Sequence, residues 1–320
     1  MKSEAQPLGN SQLHKVTAFI RNHNLYVLLV LSIVIASLLS EQFLTYQNIT
    51  NLLSQMSIIG ILAIAQMMVM LTAGIDLSHG SFIALGSVLL ATTMDAGVPV
   101  AIAATFGCLT LLGFVNGFFA NRGIHPFIVT LGMMGIARTL ALVFSDGQTV
   151  KVPAAAFENI AYSTLFGIPV PIFIWFGVLL IFHRFLKYHP TGRHIYAVGG
   201  NQEAARLTGI NVKKIKYVVY MLSGFLATIS AMIYTSRIGA ALPDKAVGYE
   251  MDSIAAAVIG GTSLFGGVGA VKGAMVGVII YGVISNILNL MGVSPYFQQF
   301  LKGLIILAAV YINTRGQRDS

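Results

Sequence analysis

Apolar runs follow one another along almost the whole chain, near 25–40, 52–73, 79–94, 98–119, 126–144, 168–186, 215–236, 252–267, 271–290 and 296–313. A bilayer core about 30 Å thick takes roughly 20 apolar residues per helix, fewer where a helix is broken. The third run is short, and the eighth, DSIAAAVIGGTSLFGG, is built largely of small residues. Hydropathy alone therefore leaves eight to ten crossings open. The first run, LYVLLVLSIVIASLL, follows a basic leader as a signal peptide does, but removing it would invert the parity that the remaining charges satisfy.

Charge placement selects ten crossings. With both termini inside, the inner segments hold Lys2, Lys15, Arg21, Arg122, Arg184, Lys187, Arg193, Arg206, Lys213, Lys214, Lys216, Lys272, Arg315 and Arg318. The outer loops then hold only Lys151, Arg237 and Lys245, which is the asymmetry of the positive-inside rule. The expectation is an all-α polytopic membrane protein with about ten transmembrane helices, both termini cytoplasmic and two loosely repeated halves. A cytoplasmic N-terminal segment (1–24) precedes a transmembrane domain (25–313) that carries a cytoplasmic loop at 187–214, and a cytoplasmic tail (314–320) follows.

Composition agrees with that reading and removes others. The 320 residues are 56% hydrophobic and 9% charged, with a mean hydropathy of +0.80. Soluble domains carry about 25% charged residues, so a water-facing enzyme is excluded. The net charge of +8 collects in loops between apolar runs, so it orients the chain in a bilayer and implies no nucleic-acid partner. One cysteine, Cys108, allows no intrachain disulfide, and no metal-ligand spacing exists.

Two pairs of segments repeat. GIDLSHG (Gly74 to Gly80) matches GTSLFGG (Gly261 to Gly267), and GIHPF (Gly123 to Phe127) matches GVSPY (Gly292 to Tyr296); Gly113 corresponds to Gly282. Each half then has a Gly-interrupted short helix in a corresponding place. Backbone leaves a helix at membrane depth only where protein or a water-filled cavity satisfies it, so paired interruptions point to a translocation pathway. Gly113 with Gly117, and Gly269 with Gly273 and Gly277, have the four-residue spacing that lets helices approach closely.

Enzyme chemistry has no residues to stand on. The stretch GGTSLFGGVGAVKG lacks the glycine that a P-loop places before its lysine, and HExxH and GxSxG are absent, so no catalytic residue is assigned. Asp76, Arg138 and Lys302 are ionisable residues near membrane depth, a functional signal by default. Lys302 lies close enough to an outer end to snorkel. Asp76 and His79 fall three apart, one helix face, as a proton-coupled secondary porter would need. The simpler reading makes Asp76 the cap of a helix starting near Leu77. Neutral polar residues suit a hydroxylated substrate, and Gln66, Asn116, Thr130, Asn286 and Asn289 join Asp76 as the candidate pathway set.

The long inner loop reads HRFLKYHPTGRHIYAVGGNQEAARLTGINVKKIK. Pro190-Thr191-Gly192 is a breaker, Asn201 caps a short helix over Gln202 to Leu207, and Gly209 ends it. Ile195, Tyr196, Leu207 and Ile210 are costly to leave bare, which predicts a docking partner. EAARLTG (Glu203 to Gly209) resembles the EAA-x-x-x-G loop of ATP-binding-cassette importer permeases, and its setting, TGRHIYAVGGNQEAARLTGINV, resembles their monosaccharide branch. LTAGIDLSHGS, PFIVTLGMMGIAR, GYEMDSIAAAVIGGTSLFGGVGAVKG and NLMGVSPYFQ match the same branch, so the likeness runs from about residue 43 to 311. Within the branch it is strongest to ribose permeases, then allose permeases.

The resemblance implies a pore subunit of a bacterial inner-membrane sugar importer, acting as a dimer, with a homodimer expected. Two cytoplasmic ATPase subunits carry ATP and magnesium, this chain holding no cofactor, and an extracytoplasmic sugar-binding protein delivers substrate. Gly200, Asn201, Glu203, Ala204, Ala205 and Gly209 map to the segment that docks on the ATPase. His79 stands where the ribose pattern has a small or apolar residue. Ser145 to Asn159 and Ala240 to Glu250 also drift from that pattern, which bears on the sugar and not on the transporter class.

Overall fold

A computed structural model describes residues 24–152 and 155–318. Residues 1–23 of the expected N-terminal segment and residues 319–320 of the expected tail lie outside the described residues. The first half contains α1 (Asn24–Leu39), α2 (Tyr46–Leu71), α3 (His79–Thr93), α4 (Val98–Ala120) and α5 (Pro126–Phe144). A short excursion follows, with β1 (Val150–Lys151), α6 (Ala155–Tyr162), β2 (Thr164–Leu165) and β3 (Ile168–Pro169). Then come α7 (Val170–Tyr188), α8 (Pro190–Gly200), α9 (Gln202–Leu207), α10 (Val212–Ile238) and β4 (Ala240–Ala241). α11 (Tyr249–Ile259), α12 (Val271–Leu290) and α13 (Pro295–Arg318) complete the chain.

A helix occupies each of the ten apolar runs, and α2, α4, α5, α7, α10 and α12 are long and apolar enough to cross a membrane. Proline opens α4, α5, α7 and α8 within the first two positions, where its missing N–H is no loss. The break expected at Pro190-Thr191-Gly192 falls just ahead of it: α7 ends at Tyr188, His189 is extended, Pro190 opens α8, and the His189 ring Nδ1 accepts the Thr191 N–H.

α2 is the central shaft. Every residue from Met56 to Leu71 is buried, the signature of a helix surrounded by other helices. It packs against α7, α10, α11 and α12. Around it, glycines set the helix separations. A Cβ on Gly113 of α4 would stand 2.2 Å from the Tyr220 carbonyl of α10, and one on Gly224 of α10 would stand 2.1 Å from the Leu109 carbonyl of α4. The two helices thus meet backbone to backbone through reciprocal glycines. Gly273 and Gly277 do the same between α12 and α11, against Gly260 and Ala256. Gly269 does not share their helix face as expected, because α12 starts at Val271 and leaves Gly269 in the preceding turn.

Two-residue ladders trim the connecting loops: β1 pairs antiparallel with β4 (Val150 with Ala241), and β2 with β3. The first ladder joins the two segments that drift from the ribose pattern. The GIHPF and GVSPY repeats share a conformation, each with a left-handed glycine (Gly123 φ +88°, Gly292 φ +71°) and a proline opening the next helix. GIDLSHG and GTSLFGG each fall mainly in non-helical backbone between two helices.

Candidate functional site

The first interruption, 72–78, is mostly buried, Ala73 being its exposed residue, and it is held by hydroxyl and amide groups from three helices together with its own Asp76 carboxylate. Thr130 of α5 donates to the Ile75 carbonyl at 3.0 Å, and the Asn116 amide of α4 reaches the Ser78 hydroxyl at 3.4 Å. Asp76 accepts the Ser78 N–H at 2.9 Å and the Ser78 hydroxyl through one oxygen, and the Ser223 hydroxyl of α10 at 2.7 Å through the other. Gly74 passes the Tyr220 hydroxyl so closely that a Cβ would stand 2.7 Å from it. This is how non-helical backbone survives inside an apolar bundle: neighbouring helices supply its polar partners.

α3 begins at His79, two residues later than the expected start near Leu77. Asp76 accordingly binds an N–H just ahead of the helix, and Asp76 and His79 do not share one helix face. They still meet. His79 Nε2 lies 3.8 Å from Asp76 Oδ2 and 2.8 Å from the Ser223 hydroxyl, with all three residues buried. Because Ser223 gives its one proton to Asp76, the His79 Nε2–H donates to Ser223.

The other face of the imidazole points to α11. His79 Nδ1 is 3.3 Å from the Ser253 hydroxyl, and a Cβ on Gly80 would stand 2.1 Å from Glu250 Oε2. The first turns of the two short helices α3 and α11 therefore touch. Helix N-termini carry partial positive charge, so two meeting ends would repel without the Glu250 carboxylate between them. Glu250 is held by the Gly248 N–H at 3.0 Å, and Gly248 is left-handed (φ +98°).

The remaining candidates lie elsewhere. Asn286 exchanges two amide hydrogen bonds with Asn48 of α2 (2.8 and 2.9 Å), and Asn289 accepts from Gln298 at 2.9 Å; both sit toward the far end of α12. Gln66 is fully buried on α2, and both of its amide atoms lack a hydrogen-bond partner. The structure thus gathers Asp76, Asn116 and Thr130 around one segment and leaves Asn286 and Asn289 apart from it. Arg138 donates to the Pro243 and Lys245 carbonyls, so it ties α5 to the loop 240–248. Lys302 does not snorkel. It pairs with Asp252 of α11, which also accepts from the Tyr281 hydroxyl. Asp252 is absent from the sequence-derived set; an acid at the head of a small-residue apolar helix was the signal that singles it out.

In the 187–214 segment, Asn201 Oδ1 accepts the Ala204 N–H at 2.9 Å and so caps α9. Gly209 closes it with φ +86°, and the Ile210 N–H returns to the Ala205 carbonyl at 3.1 Å. Ala205 faces inward, while Glu203 and Ala204 are exposed and Leu207 is 78% exposed. Ile195 is buried by the chain itself, and Tyr196 donates to the Gly269 carbonyl, so of the four apolar residues Leu207 carries most of the bare surface. Open clefts flank α9, about 360 Å³ beside Thr208, Gly209 and Lys214, and about 260 Å³ beside Glu203, Arg206 and Lys213. Burial pushes the Tyr196 phenol above its ordinary pKa.

A family model described as a branched-chain amino acid transport system / permease component matches residues 48–310. The ribose import permease protein RbsC of Haemophilus influenzae is 39% identical over 94% of this chain and 97% of its own length. RbsC of Escherichia coli K12 is 40% identical over 92% and 94%, and the D-allose transport system permease protein AlsC of the same organism 39% over 90% of each chain. No solved structure matches.

Proposed function

The chain belongs to the permease family of the branched-chain amino acid transport systems, and on that premise we propose that it is the membrane subunit of an ATP-driven importer for D-ribose. The observation that carries the sugar is the 40% identity to ribose import permeases over more than nine-tenths of the chain. Allose is the next sugar, through AlsC. Ten crossings of the bacterial inner membrane, with both termini on its cytoplasmic face, fit the helix order and the charge asymmetry.

In this reading two copies form the pathway, and an extracytoplasmic binding protein delivers the sugar. A cytoplasmic ATPase binds α9, whose exposed face is rigidly capped at both ends. ATP and magnesium belong to that partner. Its cycle shifts the pore between inward- and outward-facing states, each conformation being favoured by the contacts it makes with nucleotide-bound or nucleotide-free ATPase.

The test is uptake into proteoliposomes holding this chain and its partner ATPase, with binding protein outside and ATP inside. ATP-dependent ribose entry that exceeds allose entry is the expected result; allose entry without ribose entry moves the substrate, and no ATP dependence overturns the class. The buried approach of His79 to Asp76 favours one rival, a proton-coupled porter. That rival needs sugar entry driven by a pH gradient with no second subunit, and abolished by Asp76→Asn.

A further inference from the structure

The end of α8, the end of α2 and the turn before α12 meet at one point. The Gly267 N–H donates to the Leu71 carbonyl at 3.0 Å. A Cβ on Gly199 of α8 would stand 1.6 Å from that same carbonyl oxygen and 2.6 Å from the Gly267 nitrogen. One on Gly266 would stand 2.6 Å from the Gly199 carbonyl, and one on Gly267 would stand 2.9 Å from the Gly200 Cα. Three backbones are therefore in direct contact with no side chain between them. Nearby, the Tyr196 hydroxyl of α8 donates to the Gly269 carbonyl at 2.9 Å.

Each strand of this contact leads somewhere. Leu71 is the last residue of α2, and the 72–78 interruption starts at the next residue. Gly266, Gly267 and Gly269 belong to the second interruption, between α11 and α12. Gly199 stands two residues before Asn201, which ends α8 and caps α9 at once. No slack separates α9 from the contact. We propose that Gly199, packed on Leu71 and Gly267 and latched by Tyr196 on Gly269, is the joint through which a displacement of α9 moves both helix interruptions together. This rests on the importer reading above, in which α9 receives the ATPase.

The residue types support a mechanical role. Gly199 lies in a helix and its φ is not left-handed, so conformation does not require glycine there. Glycine weakens a helix relative to alanine, and only the close approach accounts for it. Packed contacts of this kind switch between discrete arrangements and do not deform gradually, so they transmit a shift instead of absorbing it. Gly199 and Tyr196 are positioning residues, since neither faces the cluster at Asp76.

The experiment compares the assembled transporter carrying Tyr196→Phe or Gly199→Ala with the unaltered one. The phenylalanine variant removes one hydroxyl and leaves the exposed face of α9 intact. The expected result is normal ATPase co-purification and ATP hydrolysis within twofold of normal, with ribose moved per ATP at least fivefold lower. Hydrogen exchange over 72–78 and 261–270 responds to nucleotide trapping of the ATPase in the unaltered protein, and loses that response in the variants. Ribose per ATP within twofold of normal in both variants overturns the joint, and if Gly199→Ala fails to accumulate, Tyr196→Phe alone decides. An unaltered chain that recruits no ATPase overturns the importer reading and the joint with it.

Discussion

The Lys302 ammonium lies 3.2 Å and 3.3 Å from the two carboxylate oxygens of Asp252, which joins α13 to α11 inside the bundle. Asp252 is the more buried of the two, and the Tyr281 hydroxyl completes its partners. Removing one member of such a pair strands the other charge. Lys302→Met is expected to lower unfolding stability in detergent by about 3 kcal/mol. Adding Asp252→Asn to it should recover most of the loss, as measured by thermal unfolding of the single and double variants. Equal losses in both would mean that the stranded Asp252 charge is not what costs stability.

Reciprocal glycines between α4 and α10 make a second, sharper prediction. Gly113→Ala and Gly224→Ala each place a methyl about 2 Å from a carbonyl oxygen, and each should cost about 1–3 kcal/mol. Gly107→Ala lies on the same helix with nothing within 4 Å of its added methyl. It should be neutral or stabilising by up to about 1 kcal/mol. Thermal unfolding of the three variants decides, and a large loss at Gly107 would count against the close-approach explanation.

Much of this architecture is legible in the residues. A helix occupies each apolar run, and Asn201 and Gly209 fix both ends of α9, because caps are local chemistry. Three features are not local. His79 meets Ser223 and Ser253, which lie 144 and 174 residues away. Lys302 finds Asp252 across 50 residues, and Gly199 meets Leu71 only once the bundle has formed. No periodicity encodes such meetings. Pro190 reads as a breaker and does part α7 from α8, but the helix it opens, α8, is not foreseen, because proline at the first helical position also starts helices.

The caps of α9 yield a third prediction. Asn201→Ala removes the acceptor for the Ala204 N–H and should weaken the helix by about 1 kcal/mol. Gly209→Ala forces a left-handed alanine at a cost of similar size, about 1 kcal/mol. Both variants should remain in the membrane and retain less partner ATPase after gentle solubilisation. Full retention by both would remove α9 from the docking surface.

The amide pair of Asn48 and Asn286 offers a measure of polar adhesion between α2 and α12. A double-mutant cycle with alanine at each position should give a coupling of about 0.6–1.7 kcal/mol. A coupling of zero, read from unfolding of the four proteins, would show that the amides bind something other than each other.

The all-round burial of α2 has a consequence for how the protein is made. α2 is complete at Leu71, but α10, its long neighbour, is complete only at Ile238, 167 residues later. At roughly 5–20 residues per second, ribosomes need on the order of ten to thirty seconds for that stretch. During that interval the shaft of the finished bundle has only lipid, early helices and the insertion machinery around it. Its apolar composition is thus a requirement of the nascent chain as much as of the native one. Gln66 spends that interval without the enclosing helices, so a chaperoning contact during biogenesis has an obvious place to act.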